Sequence, residues 1–160
     1  GGEPLMQPDF AREILKLCKK RNINTVMETS GFAEWEVLKK LLKYTDFVFY
    51  DIKHMDTDCH HHLTGAPNDL ILSNAKIVVA SGIPMLCRIP LVKDVNDTAH
   101  NIDETAQFVK MLGNGIVVEL LPYHRLGIGK YQTLDKPYAG GAFVTPSSEE
   151  IESVKHIFEE

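Results

Sequence analysis

In the run Phe47-Val-Phe-Tyr-Asp51-Ile-Lys53 a carboxylate and an ammonium stand two residues apart. Side chains on a strand alternate between faces, so a strand here projects Asp51 and Lys53 together and turns Val48, Tyr50 and Ile52 the other way. An ion pair at a strand end is often no more than structural. This one has company: Glu3, Thr29 with Ser30, Arg88 and His124 all fall where other strand ends are expected. A zwitterionic amino acid needs an acceptor for its ammonium and a cation for its carboxylate, and a ribose diol needs carboxylate or imidazole acceptors. Glu3, Lys53, and Asp51 or His124 meet those needs. Arg88 is equally consistent with a salt bridge and with ligand binding.

The elements that must position these groups alternate in type. After Pro8, the residues Phe10, Ile14, Leu17 and Cys18 recur at helical spacing, with Asp9 and Glu13 early and Lys19, Lys20 and Arg21 late. Strands are expected at 24–29, 46–53, 84–92 and 115–122, and helices at 34–44, near 70–80 and at 99–112, where Gly113 stops the last of these. Ser147 and Glu150 have capping-box spacing ahead of a final helix. Strands alternating with helices imply right-handed crossovers and a mainly parallel sheet: an α/β fold, read as a partial (βα) barrel in a single domain over 1–160. In such folds ligands bind beyond the carboxyl ends of the strands, which is where the polar clusters fall. Residues 125–146 show no clear periodicity and hold four glycines, which fits a lid, a partner groove or a plain connector.

Composition narrows the classes. At 160 residues with 44% hydrophobic content the chain can bury a core, and a net charge of -5 leaves no broad basic field for nucleic acid. Cys18, Cys59 and Cys87 are far apart and odd in number, unlike a secreted disulfide framework, so a reducing cytoplasm is expected. No apolar run approaches the ~20 residues of a membrane-spanning helix. His60, His61 and His62 are consecutive, and adjacent side chains diverge, so a solvated helix or turn is expected there and no metal site. Gly127-Ile-Gly129 lacks the third glycine of a phosphate loop and reads as loop punctuation.

Five segments in order, GGEP at Gly1 to Pro4, ETSG at Glu28 to Gly31, DIKH at Asp51 to His54, RIPLV at Arg88 to Val92 and LPYH at Leu121 to His124, make the chain resemble radical S-adenosylmethionine enzymes. Within that superfamily it resembles the activators of glycyl radical enzymes, those of pyruvate formate-lyase among them. The resemblance implies that Gly1, Gly2 and Glu3 meet the cofactor's amino group, that Thr29 and Ser30 end a neighbouring strand, that Asp51 and Lys53 face the methionyl carboxylate region, and that Arg88 and His124 close the site, His124 near the ribose. It further implies a 4Fe-4S cluster, a reduced flavodoxin or ferredoxin as electron donor, and a 5′-deoxyadenosyl radical that takes hydrogen from a backbone glycine of the partner enzyme.

The family holds its cluster with three cysteines in CxxxCxxC spacing, and none of the three cysteines here has it. In the family that triplet precedes GGEP, so the chain reads as a carboxy-terminal fragment that lacks the amino-terminal strands and is inactive alone. An unpaired edge at 24–29 and self-association through it are then expected. Two other classes fit parts of the pattern. One is an aldolase-type lyase with Lys53 as Schiff-base nucleophile, against which Asp51 disfavours the neutral amine. The other is an S-adenosylmethionine-binding domain without turnover.

Overall fold

The computed structural model describes residues 2–113 and 115–159; Gly1, one of the expected ligand contacts, lies outside them. Strands β1 (Val26–Thr29), β2 (Phe47–Asp51), β3 (Met85–Leu91) and β4 (Val117–Pro122) pair in the order β1-β2-β3-β4, all parallel. Helix α1 (Pro8–Lys20) precedes β1. The crossovers carry α2 (Trp35–Leu42), then α3 (Thr57–Thr64) with α4 (Asp69–Ala80), then α5 (Ala99–Leu112), and α6 (Ile128–Thr133) and α7 (Ser148–Glu159) follow β4. The α/β partial-barrel expectation holds, each strand being two or three residues shorter than the run expected for it.

The two faces of the sheet differ because the side-chain period is two. Met27, Val48, Tyr50, Ile52, Met85 and Cys87 point to the helices and join Leu38, Leu41, Ile71, Ala75, Val78 and Phe108 in one buried cluster. Burial pushes the Cys87 thiol up to about 12, so it behaves as a small apolar residue. Glu28, Phe49, Asp51, Arg88 and Glu119 belong to the opposite, more open face, where cross-strand register sets Asp51 beside Arg88 and Arg88 beside Glu119. Trp35 packs against the core at the start of α2.

Caps form as the sequence indicates. The Ser147 hydroxyl accepts from the Glu150 amide at 3.2 Å while the Glu150 carboxylate accepts from the Ser147 amide at 2.7 Å, a reciprocal capping box. Gly31 has φ of +72°, and a Cβ there would stand 1.9 Å from the Tyr50 hydroxyl, so the turn after β1 requires glycine.

Helix α1 forms as expected but turns its apolar stripe outward, and two other expectations fail. The stripe Phe10, Ile14 and Leu17 of α1 is exposed, and Ala11 and Leu15 pack on the core instead; spacing shows that residues share a face, not what covers it. His60 is buried and not solvated: its Nδ1 lies 2.7 Å from the Ala66 carbonyl oxygen, which closes the turn between α3 and α4. Residues 125–146 contain α6 and two single turns of 3-10 helix, segments too short to show periodicity.

Candidate functional site

The site begins with Glu3, which caps a single 3-10 turn at Pro4–Met6 by accepting from the Leu5 amide at 3.2 Å. Its carboxylate also receives the Thr29 hydroxyl at 2.6 Å, the Ser30 amide at 2.9 Å and the Ser30 hydroxyl at 2.8 Å. Four donors fill the acceptor positions of two carboxylate oxygens. Glu3 therefore ties the amino-terminal turn to the end of β1, and it has no lone pair to spare for a ligand ammonium.

Beside it, Lys53 Nζ lies 3.1 Å from Asp51 Oδ2. The other oxygen, Oδ1, is buried and has no hydrogen-bond partner among the described residues. Leaving a buried acceptor unpaired costs about 1–3 kcal/mol, so an orphan of this kind calls for an explanation. Gly2, Glu3, Glu28, Thr29, Ser30, Asp51 and Lys53 together line a cavity of about 460 Å³, within the range of small-ligand sites. A larger hollow of about 690 Å³ between α5, β4 and α7 has a mostly apolar wall and, among the described residues, no unpartnered buried side-chain polar atom.

Arg88 is occupied differently. Its guanidinium meets Glu119 at 2.6 Å and Glu28 at 3.2 Å, and it lies 3.6 Å from the centre of the Phe49 ring. Burial works against its charge, but the two carboxylates outweigh burial and hold its pKa above the ordinary value. Glu28 and Glu119 were not singled out as site residues in the sequence. Strand register brings them in, pairing Asp51 with Arg88 and Arg88 with Glu119, and motif spacing does not carry that register. His124 is exposed beyond β4, its Nδ1 accepting from the Leu126 amide at 3.3 Å, and it is not part of the cavity wall. Of the expected site residues, then, Gly2, Glu3, Thr29, Ser30, Asp51 and Lys53 converge, Arg88 adjoins them and His124 stands apart.

One metal-like cluster occurs among the described residues: His54, Asp56 and Cys59 bring ligand atoms within 4.8 Å of one another. Its bonds are already committed. His54 Nδ1 accepts from the Asp56 amide at 3.0 Å, and Asp56 Oδ1 caps α3 by accepting from the Cys59 amide at 2.7 Å. A metal on His54 Nε2 favours a proton on Nδ1, which the facing amide N–H opposes. The cluster is a helix start.

The profile of the radical SAM superfamily matches residues 1–109. The chain belongs to that superfamily. Among radical SAM relatives it is 40% identical over 141 residues to the choline trimethylamine-lyase activating enzyme of Oleidesulfovibrio alaskensis, a match that covers 86% of this chain and 46% of that one. It is 40% identical over 160 residues to the 4-hydroxyphenylacetate decarboxylase activating enzyme of Clostridioides difficile, with 99% and 50% covered. A domain of the pyruvate-formate lyase-activating enzyme from Bacteroides vulgatus superposes with a TM-score of 0.82 at 31% identity over 99% of this chain and 89% of that one. The chain spans about half the length of the curated relatives it matches.

Radical SAM chemistry involves S-adenosylmethionine and a 4Fe-4S cluster, and the residues present fit the two unequally. The orphaned Asp51 oxygen beside the Lys53 ammonium matches the zwitterionic end of S-adenosylmethionine. The cysteines do not match a cluster: Cys18 lies on α1, Cys59 is exposed on α3, and Cys87 is buried in β3.

Proposed function

We propose that the cavity beside Glu3 holds the methionyl end of S-adenosylmethionine, within a single radical SAM domain of an oxidoreductase that activates a glycyl radical enzyme. The observation that carries this reading is Asp51 Oδ1, buried and unpartnered among the described residues, on a residue that lines the 460 Å³ cavity together with its ion-pair partner Lys53. A ligand ammonium satisfies that oxygen, and Lys53 answers the ligand carboxylate. Glu3 holds the Thr29-Ser30 turn against the cavity, and Gly2 leaves its wall without a side chain. Arg88 stiffens the floor through Glu28 and Glu119. Gly1 and His124 join the assignment through the family resemblance alone.

When bound, S-adenosylmethionine supplies reductive cleavage of a carbon–sulfur bond, the chemistry that places a radical on a partner's glycine. The protein's share is to orient the methionyl group and exclude water. No electron-transfer step is assigned to these residues, because their cysteines do not form a cluster set. By themselves they are expected to bind the ligand without cleaving it.

The partners in this proposal are a glycyl radical enzyme, pyruvate formate-lyase being one candidate, and reduced flavodoxin or ferredoxin as donor. The free cysteines fit a cytoplasmic setting, and no helix among the described residues is long and apolar enough to cross a membrane. Exposed Phe10, Ile14 and Val26 beside the β1 edge support self-association, which sedimentation across a concentration range tests.

Equilibrium dialysis of the chain against S-adenosylmethionine, followed by dithionite and assay for 5′-deoxyadenosine, tests the main reading. Saturable binding that is lost in Lys53→Met, with no cleavage product, is expected. Absent binding, or binding indifferent to Lys53→Met, sinks the site assignment; cleavage by the chain alone sinks the statement that it is inactive.

A further inference from the structure

The ladder of β2 ends early. Its last bond to β3 is the Ile52 amide donating to the Arg88 carbonyl at 2.9 Å, and beyond it Lys53, His54 and Met55 leave the sheet. Their backbone polar groups are nevertheless held, by the side chains of three asparagines that are only 1–3% exposed. Asn96 Nδ2 donates to the Lys53 carbonyl at 2.8 Å and to the Pro90 carbonyl at 2.6 Å, while its Oδ1 accepts from the Val92 amide at 2.8 Å. Asn101 Oδ1 accepts from the Met55 amide at 2.9 Å, and its Nδ2 donates to the Asn96 carbonyl at 2.7 Å. Asn68 Nδ2 donates to the carbonyls of His54 at 2.9 Å and Met55 at 2.6 Å. Four backbone groups in three consecutive residues are thus fixed from α5, its preceding loop and the start of α4.

We infer that Asn96 is a positioning residue for Lys53, setting the backbone from which its ammonium reaches Asp51 and the carboxylate of an amino-acid ligand. Only a primary amide does this at one position: two N–H groups on two carbonyls, one in β3 and one just past the end of β2, and one oxygen on an amide. The inference rests on the reading of Asp51 and Lys53 as the ligand's zwitterion site. Lysine has four rotatable side-chain bonds, so its ammonium is placed only as well as its Cα is held, and displacements near 1 Å are enough to spoil such a site. Asn96→Asp keeps the shape but presents acceptors to two carbonyls, which forces the Lys53 backbone to shift.

The test compares two ligands on the protein at its native length: S-adenosylmethionine, and 5′-methylthioadenosine, which shares the nucleoside but lacks the amino-acid half. Wild type should prefer S-adenosylmethionine, and Lys53→Met should reduce that preference. Asn96→Asp should reduce it by about tenfold or more, with binding of 5′-methylthioadenosine little changed, and the double variant should be no worse than Lys53→Met alone, since coupled residues are non-additive. Equal weakening of both ligands, an unchanged preference, or additive effects overturns the inference. A wild type without preference, or a Lys53→Met without effect, overturns the site reading itself and the inference with it. If Asn96→Asp does not fold, Asn101→Asp is read in the same way, because it acts on Asn96 and Met55 together.

Discussion

Two ion pairs occupy neighbouring positions on one face of the sheet, and they are finished to different degrees. Arg88 is closed: two carboxylates and an aromatic ring account for its guanidinium. The Asp51–Lys53 pair is open, with one carboxylate oxygen buried and unpaired. In the sequence both are charges on strands, Asp51 closing β2 and Arg88 within β3, and alternation places both on the same side of the sheet. The difference lies in what remains unsatisfied, and unsatisfied buried groups mark places where folding stability has been given up for binding.

The sharpest way to break that contrast is Asp51→Ala. If Asp51 serves a ligand, S-adenosylmethionine affinity should fall by about a hundredfold, ~2.8 kcal/mol at 1.4 per decade. Thermal stability should hold or rise, because the variant removes an acceptor that the fold leaves unpaired. Titration calorimetry and thermal melts of the same preparations measure both. A large drop in melting temperature with little change in affinity would make this pair structural, like its neighbour.

Arg88→Met should give the converse. It leaves Glu28 and Glu119 without their shared cation and strips the contact on Phe49, but both carboxylates are well exposed, so solvent discounts the loss. About 1–2 kcal/mol of unfolding free energy is expected from the charge-assisted bonds, with ligand affinity changed only a few-fold. Urea denaturation reads the first and titration the second. A loss of affinity as large as that of Asp51→Ala would move Arg88 into the ligand site.

How much of this contrast was legible in the sequence follows from the range of each interaction. The β2 run, its alternation and the Ser147–Glu150 cap are local patterns, and they emerge where expected. The closed state of Arg88 depends on the register of three strands, which motif spacing does not carry. Asn68, Asn96 and Asn101 sit in ordinary loop and helix-start positions, and nothing local says that their amides bridge strand ends up to 46 residues away. Glu3 matched the resemblance in position, yet its four donors come partly from residues 26 and 27 positions distant, so the saturation of its carboxylate becomes visible only in the fold. The α1 stripe was legible as a stripe and not as an exposed one, because exposure depends on what packs against it.

The gentlest effect sharpens the comparison from behind the open pair. His60 on α3 is 3% exposed, and burial lowers its pKa from the ordinary value of 6.5, with the nearby charges of Lys53 and His54 acting in the same direction and the Ala66 carbonyl opposing them. In the unfolded chain the imidazole keeps its ordinary affinity for protons, so between its lowered folded value and 6.5 the unfolded state binds more protons than the folded one. Stability should therefore rise with pH through that window, be fully present above 6.5, and be lost as the pH falls toward the folded value. His60→Gln keeps a donor for the Ala66 carbonyl but cannot titrate, so the difference in unfolding free energy between variant and wild type should itself change with pH below neutrality and be constant above it. Urea melts at a series of pH values measure that difference, and the other histidines cancel in it. A pH-independent difference would mean that His60 is reached by water and titrates normally, and the loop behind Lys53 would then be looser than the Arg88 side of the sheet.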